Sequence, residues 1–492
     1  MDTADYLWLE ALPAELMVEI ASYLEGSNLV AFRHASSQLS TASSGVLNDH
    51  FFGCLTTDLT RRSLSRLFGA ARSEGYRRRA RALRIAPWAC PPSRRMYLND
   101  RPHDWARDAA TGRLNLATPT GRAVLACMRD GLPACRSFAV SDSGWLDPDL
   151  LPSSDGDDGP HLYPTDALAL VAALAGDPAN PAPVEALDVS LYGSGGIRED
   201  LLDPEALRRA DWSALETLRF DVSDMAAGPH PPAGPSGGAA VLQPFIHGLL
   251  SSAPNLQTVT IGGTRSVITY CLLLLSEQKR AIRHMTITGR PGRLTSVTPA
   301  ALCSWIDSNL GDAGGGGEKL ESLEFERIFL DSNNTADGAN PWPEVISRVH
   351  AAFPNLKRFK IMECGATAGL KLAFVCPLLQ SLTDRLGPAA PGCPDDGGGG
   401  LYHVRCCAAI SDEYGGAFRL VSAPSLNRDL LEHSGSITSA FHDTGVEYKL
   451  GPSGTAEGMR RALDDIAQGM MLYSPGNAVQ CPGRQAPTSG EA

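Results

Sequence analysis

The chain has 492 residues, 43% of them hydrophobic and 20% charged, with 49 Gly and 35 Pro. At roughly 100–200 residues per domain that length predicts two to four domains, and the composition excludes a collagen, a coiled coil and a membrane protein. The formal net charge of −12 argues against nucleic-acid binding by the chain as a whole.

The charge is unevenly spread. Between residues 51 and 101 twelve arginines stand against three acids, a net +9 that leaves −21 for the rest. Lysine occurs at six positions only (Lys279, Lys319, Lys357, Lys360, Lys371, Lys449), and the first 278 residues hold none. No basic segment followed by an apolar one suggests a signal peptide. The apolar run Tyr270 to Leu275 falls far short of the ~20 residues of a membrane helix. The reading is an intracellular protein, cytoplasmic or nuclear. Its twelve Cys are scattered, with Cys406–Cys407 the only close pair and no C-x-x-C. In a reducing compartment they read as small buried residues, not as disulfides or zinc ligands.

The first predicted elements lie between Leu12 and Phe52. Pro13 suits a first helical turn, where its missing N–H would be unpaired anyway. Leu16, Ile20 and Leu24 recur at i, i+4 and i+8 as one apolar stripe, flanked by Met17 and Tyr23. Gly26 reads as the stop, Ser27 as the cap of a second helix carrying Leu29 and Phe32, and a weaker third helix runs from about 41 to 51 across Gly45. Three helices in about 40 residues bury too little to stand alone, so the module is expected to lean on a partner, either the rest of the chain or another protein.

The run Leu12-Pro13-Ala14-Glu15-Leu16, followed by Ile20, Tyr23-Leu24, Leu29, Phe32-Arg33 and Ser36, resembles the F-box. The likeness covers 8–52. It departs from the family pattern at His34-Ala35 and lacks the late tryptophan of the third helix. The resemblance implies docking onto a Skp-type adaptor and through it a cullin, in an SCF-type cullin–RING ubiquitin ligase. Carried onto this sequence, the adaptor-binding residues would be Leu12, Pro13, Leu16, Ile20, Leu24, Leu29 and Phe32.

Residues 53–88 read as an Arg-rich helical linker, whose arginines are either a solvated helix face or a site for phosphates or an acidic surface. Behind it a phrase recurs. Pro254-Asn255-Leu256-x-x-Val259-x-Ile261 reappears as Pro354-Asn355-Leu356-x-x-Phe359-x-Ile361. Looser copies are Cys135/Phe138/Val140, Val184/Leu187/Val189, Leu215/Leu218/Phe220, Ile282/Met285/Ile287, Leu320/Leu323/Phe325 and Leu379/Leu382. The spacing suits a turn followed by a short strand with alternate side chains inward. Helices are expected between copies, at 241–252, 266–280, 300–310 and 344–353, the last two opened by Thr298-Pro299 and Trp342-Pro343. From Leu187 onward copies lie 23 to 41 residues apart, looser than the roughly 20–29 of a regular leucine-rich repeat. Residues 89–385 therefore read as a divergent leucine-rich-repeat-like α/β region, or an irregular α/β domain; Cys364 sits where that repeat pattern takes Asn or Cys. Residues 401–473 read as a C-terminal cap or extension and 474–492 as a disordered tail.

The expected fold class is thus α plus α/β, a small three-helix F-box ahead of an irregular leucine-rich-repeat-like array. Gly234-Pro235-Ser236-Gly237-Gly238 matches a nucleophile elbow only in form, being set in a Pro/Gly-rich insertion. Gly193-Ser194-Gly195-Gly196 reads as a turn, since Arg198 replaces the third glycine of a dinucleotide fingerprint. No catalytic residue, metal ligand or cofactor is expected. The chain reads as a non-catalytic substrate adaptor of the ligase, capturing an unknown protein through the repeat-like region. An F-box scaffold outside the ligase and a cryptic α/β enzyme remain the alternatives.

Overall fold

The computed structural model describes residues 9, 12–24, 26–87, 105–141, 162–191, 202–222, 243–278, 281–289, 295–310, 316–331, 340–366, 370–374, 410–411, 416–421, 445–468 and 470–473. It is a mixed α/β protein with helices at the N-terminus and mostly parallel sheet behind them. The chain divides into two units, Met1–Asn255 and Leu256–Ala492.

The first unit opens with four helices: α1 (Ala14–Ser22), α2 (Gly26–Ala35), α3 (Ser37–Ala42) and α4 (Ser44–Phe52). Pro13, extended at φ −54° and ψ 147°, occupies the N-cap of α1. Gly26 is the first residue of α2, not the stop of α1, which closes at Tyr23. The expected third helix divides in two at Ser43. The Ser36 hydroxyl caps α3 by accepting from the Leu39 N–H at 3.2 Å. Gly45 lies inside α4 and does not interrupt it. Met17, Ala21, Leu29 and Leu39 form the buried centre of the bundle.

Strand and helix then alternate. The order is β1 (Cys54–Thr57), α5 (Arg61–Arg72), α6 (Glu74–Arg77), β2 (Ala82–Ile85), α7 (Pro119–Ala126), β3 (Ser137–Ser141), α8 (Pro164–Ala175), β4 (Ala186–Leu191), α9 (Pro204–Arg209), β5 (Thr217–Val222) and α10 (Gln243–Ser252). Prolines start α7, α8 and α9 at positions where a missing N–H costs nothing. β1 to β5 pair in parallel in chain order. Each recurring phrase lands as expected: Phe138 and Val140, Leu187 and Val189, and Leu218 and Phe220 are buried on successive strands.

The segment 53–88 differs from the expected helical linker. Two of its stretches are β1 and β2, so parallel pairing begins at Cys54 and not after residue 89. Ala80, Leu83 and Ile85 are an additional copy of the phrase, all buried. A backbone device repeats at each step: one carbonyl before a strand accepts two N–H groups from the next strand's start. Gly53, Arg81, Arg136 and Glu185 play this part in turn.

The second unit continues the same alternation. It contains β6 (Thr258–Gly263), α11 (Arg265–Gln278), β7 (His284–Gly289), β8 (Thr295–Val297), α12 (Pro299–Asp307), β9 (Ser322–Glu326), β10 (Ile328–Leu330), α13 (Trp342–Ala352), β11 (Arg358–Met362) and β12 (Gly365–Ala366). Helices 243–252, 265–278, 299–307 and 342–352 lie within two or three residues of the sequence expectation at each end. Strands β6, β7, β9 and β11 pair in parallel, and Gln257, Arg283 and Glu321 supply the shared carbonyls.

β9 and β11 each bend through one left-handed residue, Arg327 (φ 55°) and Glu363 (φ 53°), into β10 and β12. Those short strands form a second sheet with β8, β13 (Leu370–Phe374) and β17 (Met470–Tyr473). Of 401–473, the described parts are β14 (Ile410–Ser411), β15 (Gly416–Val421), β16 (Gly445–Leu450), α14 (Ala456–Gln468) and β17. β16 adds antiparallel to β11, and β15 and β14 follow it. The phrase copy at Leu379/Leu382, both glycine-rich motifs and the tail 474–492 lie outside the described residues.

Candidate docking site

Helix α1 is apolar on two sides, and only one is used internally. Met17 and Ala21, at i and i+4, are buried against α3 and α4. The neighbouring row, Leu16, Ile20 and Tyr23 at i, i+4 and i+7, faces outward. Leu16 is 44% exposed and Tyr23 81%, with Val18 at 40% and Val30 of α2 at 38%. Pro13 is exposed, and Leu12, Ile20, Leu24 and Phe32 are half-buried. Leu29 is fully buried. It is a core residue of the bundle and presents no surface, which sets it apart from the other six residues read as adaptor-binding.

Two further residues of the motif do internal work. The Arg33 guanidinium donates to the Ser40 carbonyl at 2.9 Å and to the Ser44 hydroxyl at 3.1 Å, tying α2 to α3 and α4. Ser36 is the cap of α3 already described. The bundle rests on the following strands: β1 lies beside α4, and Phe52 stacks on Tyr76 with ring centroids 4.3 Å apart. The result is a fixed helical platform with an apolar outer row.

The second feature is the polar strand face in each unit. In the first unit the register sets Thr56, Arg84, Ala139, Asp188 and Arg219 in one row, and all are exposed or half-buried. In the second, Glu324, Lys360 and Glu447 stand side by side on β9, β11 and β16. Arg358 bridges two of them, with Nη1 2.5 Å from Glu324 and Nε 2.7 Å from Glu447. The Lys360 ammonium lies 2.6 Å from Glu326 and 3.6 Å from Glu324. These charges neutralise one another, so that face is a polar wall of alternating sign.

Buried thiols are pushed well above their ordinary range by desolvation: Cys127 to about 11, and Cys135, Cys271 and Cys364 to about 12. Cys364 donates to the Met362 carbonyl at the β11 corner, a packing role. Among the described residues, no three His, Cys, Asp or Glu side chains gather as a metal site. Nor is any described helix long and apolar enough to cross a membrane. No protein-family model matches the chain, and no curated protein matches it in sequence.

Proposed function

We propose that the chain is a substrate-recognition subunit of an SCF-type cullin–RING ubiquitin ligase. The helical platform docks on a Skp-type adaptor, and the α/β region behind it holds a protein substrate. The observation that carries this is the outward apolar row Leu16, Ile20 and Tyr23, sitting on the stretch whose sequence resembles the F-box. Burying a Leu-sized side chain contributes roughly 1.5–3 kcal/mol. Leu16 is 44% exposed and Ile20 and Leu24 are half-buried, so each has only part of that still to gain, and the row, extended by Pro13, offers an apolar anchor for a helical contact.

The finer reading of the α/β region is a divergent leucine-rich-repeat-like array. Strand order that follows chain order, one shared carbonyl per step and left-handed corners at Arg327 and Glu363 support it. In this reading the polar strand face presents the substrate-binding surface.

Co-expression with a Skp adaptor, followed by addition of the cullin, tests the assignment. Retention of both supports the ligase role. Retention of the adaptor alone makes the chain a scaffold outside the ligase, and loss of both removes the docking function.

A further inference from the structure

Helix α5 carries a charge pattern that adaptor docking does not use. Arg61, Arg62, Arg66 and Arg72 are all exposed, and none has an acidic partner among the described residues. At 3.6 residues per turn the four fall within an arc of about 140°, with only Ser65 and Gly69 between them. The opposite side carries Leu64 and Leu67, both buried. In the turn after α6, exposed Arg79 is likewise without an acidic partner. Of the nearby acids, Glu74 is already engaged by Arg78 at 2.6 Å and Arg77 at 3.6 Å, and Asp58 accepts from the N–H and hydroxyl of Thr60. Like charges held side by side repel, and a bound anion relieves that repulsion.

Three properties narrow the choice of anion. The apolar side of α5 is committed to the fold, so the helix cannot lie in a bilayer interface, where binding draws on that side. Arg61 and Arg72 stand about 16 Å apart along the axis, at a rise of about 1.5 Å per residue. Arginines strung out in this way suit a row of carboxylates better than a single phosphate group. Outside 51–101 the chain carries −21, which repels a long polyanion such as a nucleic acid more than a segment no longer than the patch.

We propose that the arginine face of α5 docks a short acidic segment, rich in Asp and Glu, of a partner protein. The site is independent of the adaptor assignment and stands or falls separately.

Fluorescence anisotropy of the full chain with a labelled oligo-glutamate peptide tests it, beside a DNA duplex and phosphatidylserine vesicles. The expected result is saturable peptide binding that weakens with salt and falls about tenfold in Arg62→Glu/Arg66→Glu, as the loss of several exposed charge pairs implies. The control Arg208→Glu/Arg209→Glu on α9, also exposed, should leave it unchanged. Unaltered circular dichroism and melting show that the variants fold. The proposal is overturned if the peptide does not bind, if both double variants bind alike, or if the duplex or vesicles bind more tightly with the same dependence on Arg62 and Arg66.

Discussion

Arg107 and Asp166, 59 positions apart, form a two-pronged ion pair at the N-terminus of α8. Nη2 lies 2.6 Å from Oδ2 and Nη1 3.1 Å from Oδ1. Asp166 is buried and also accepts from the Tyr163 N–H at 2.8 Å. Arg107 reaches on to the Gly112 carbonyl and lies 5.2 Å from the Tyr163 ring centre. One carboxylate thus caps α8 and anchors the segment ahead of α7 that carries Arg107. Asp166→Ala strands the arginine and uncaps α8, and is expected to cost about 3 kcal/mol in urea unfolding. The pair variant Arg107→Met/Asp166→Leu should cost less than Asp166→Ala alone.

Gly289, at the end of β7, passes close under the corner at Arg327. A Cβ there would stand 1.9 Å from the Arg327 carbonyl oxygen. Gly289→Ala should therefore destabilise the second unit by about 3 kcal/mol, read as a shift of the denaturant midpoint. Gly45 in α4 has open space around it. Gly45→Ala is expected to stabilise by about 0.5–1 kcal/mol, because alanine loses less backbone freedom in a helix.

Among the described cysteines, Cys54 alone is exposed. Iodoacetamide at neutral pH should label Cys54 quickly. Cys127, Cys135, Cys271 and Cys364, buried and held as thiols, should label only on unfolding. Mass mapping of native and denatured samples reads the difference.

His350 on α13 titrates below its ordinary value, chiefly because burial disfavours the imidazolium, with Arg460 of α14 adding to the effect. Asp464 and Glu457 pull the other way. Glu457 is itself held down to about 2 by its hydrogen bond to Arg460, so it stays charged through this range. A histidine harder to protonate when folded leaves stability intact above its unfolded value, about 6.5, and withdraws it as pH falls below that. Melting followed from about pH 7.5 to about pH 5.5 should show a smaller loss for His350→Gln than for wild type.

The strands were legible because their signal is local. Leu323 and Phe325, or Phe359 and Ile361, are two inward residues on one strand preceded by a buried turn leucine, and that spacing survives without regular repeat length. The copy at Ala80, Leu83 and Ile85 escaped because alanine fills its first position among arginines. Helix α1 shows a different limit. Leu16/Ile20 and Met17/Ala21 are adjacent rows of the same period, and periodicity alone does not tell which faces inward; the shapes of α3 and α4 decide it. The Arg107–Asp166 pair depends on a loop with no periodic pattern, so nothing in the sequence joins its two ends.

The outward row of α1 is the centre of the functional account. Leu16 is exposed, so Leu16→Asp should change the stability of the free protein by less than about 0.5 kcal/mol. Buried in an apolar contact, the same carboxylate should cost several kcal/mol, on the order of 3, and adding Ile20→Asp should abolish the contact. The decisive measurement is co-purification with a co-expressed Skp adaptor of the intact wild-type chain and of Leu16→Asp/Ile20→Asp, with melting curves for both. The account predicts a stoichiometric complex for wild type and none for a variant that still folds. A wild-type chain that leaves the adaptor behind, or a folded variant that retains it equally well, would contradict the docking role.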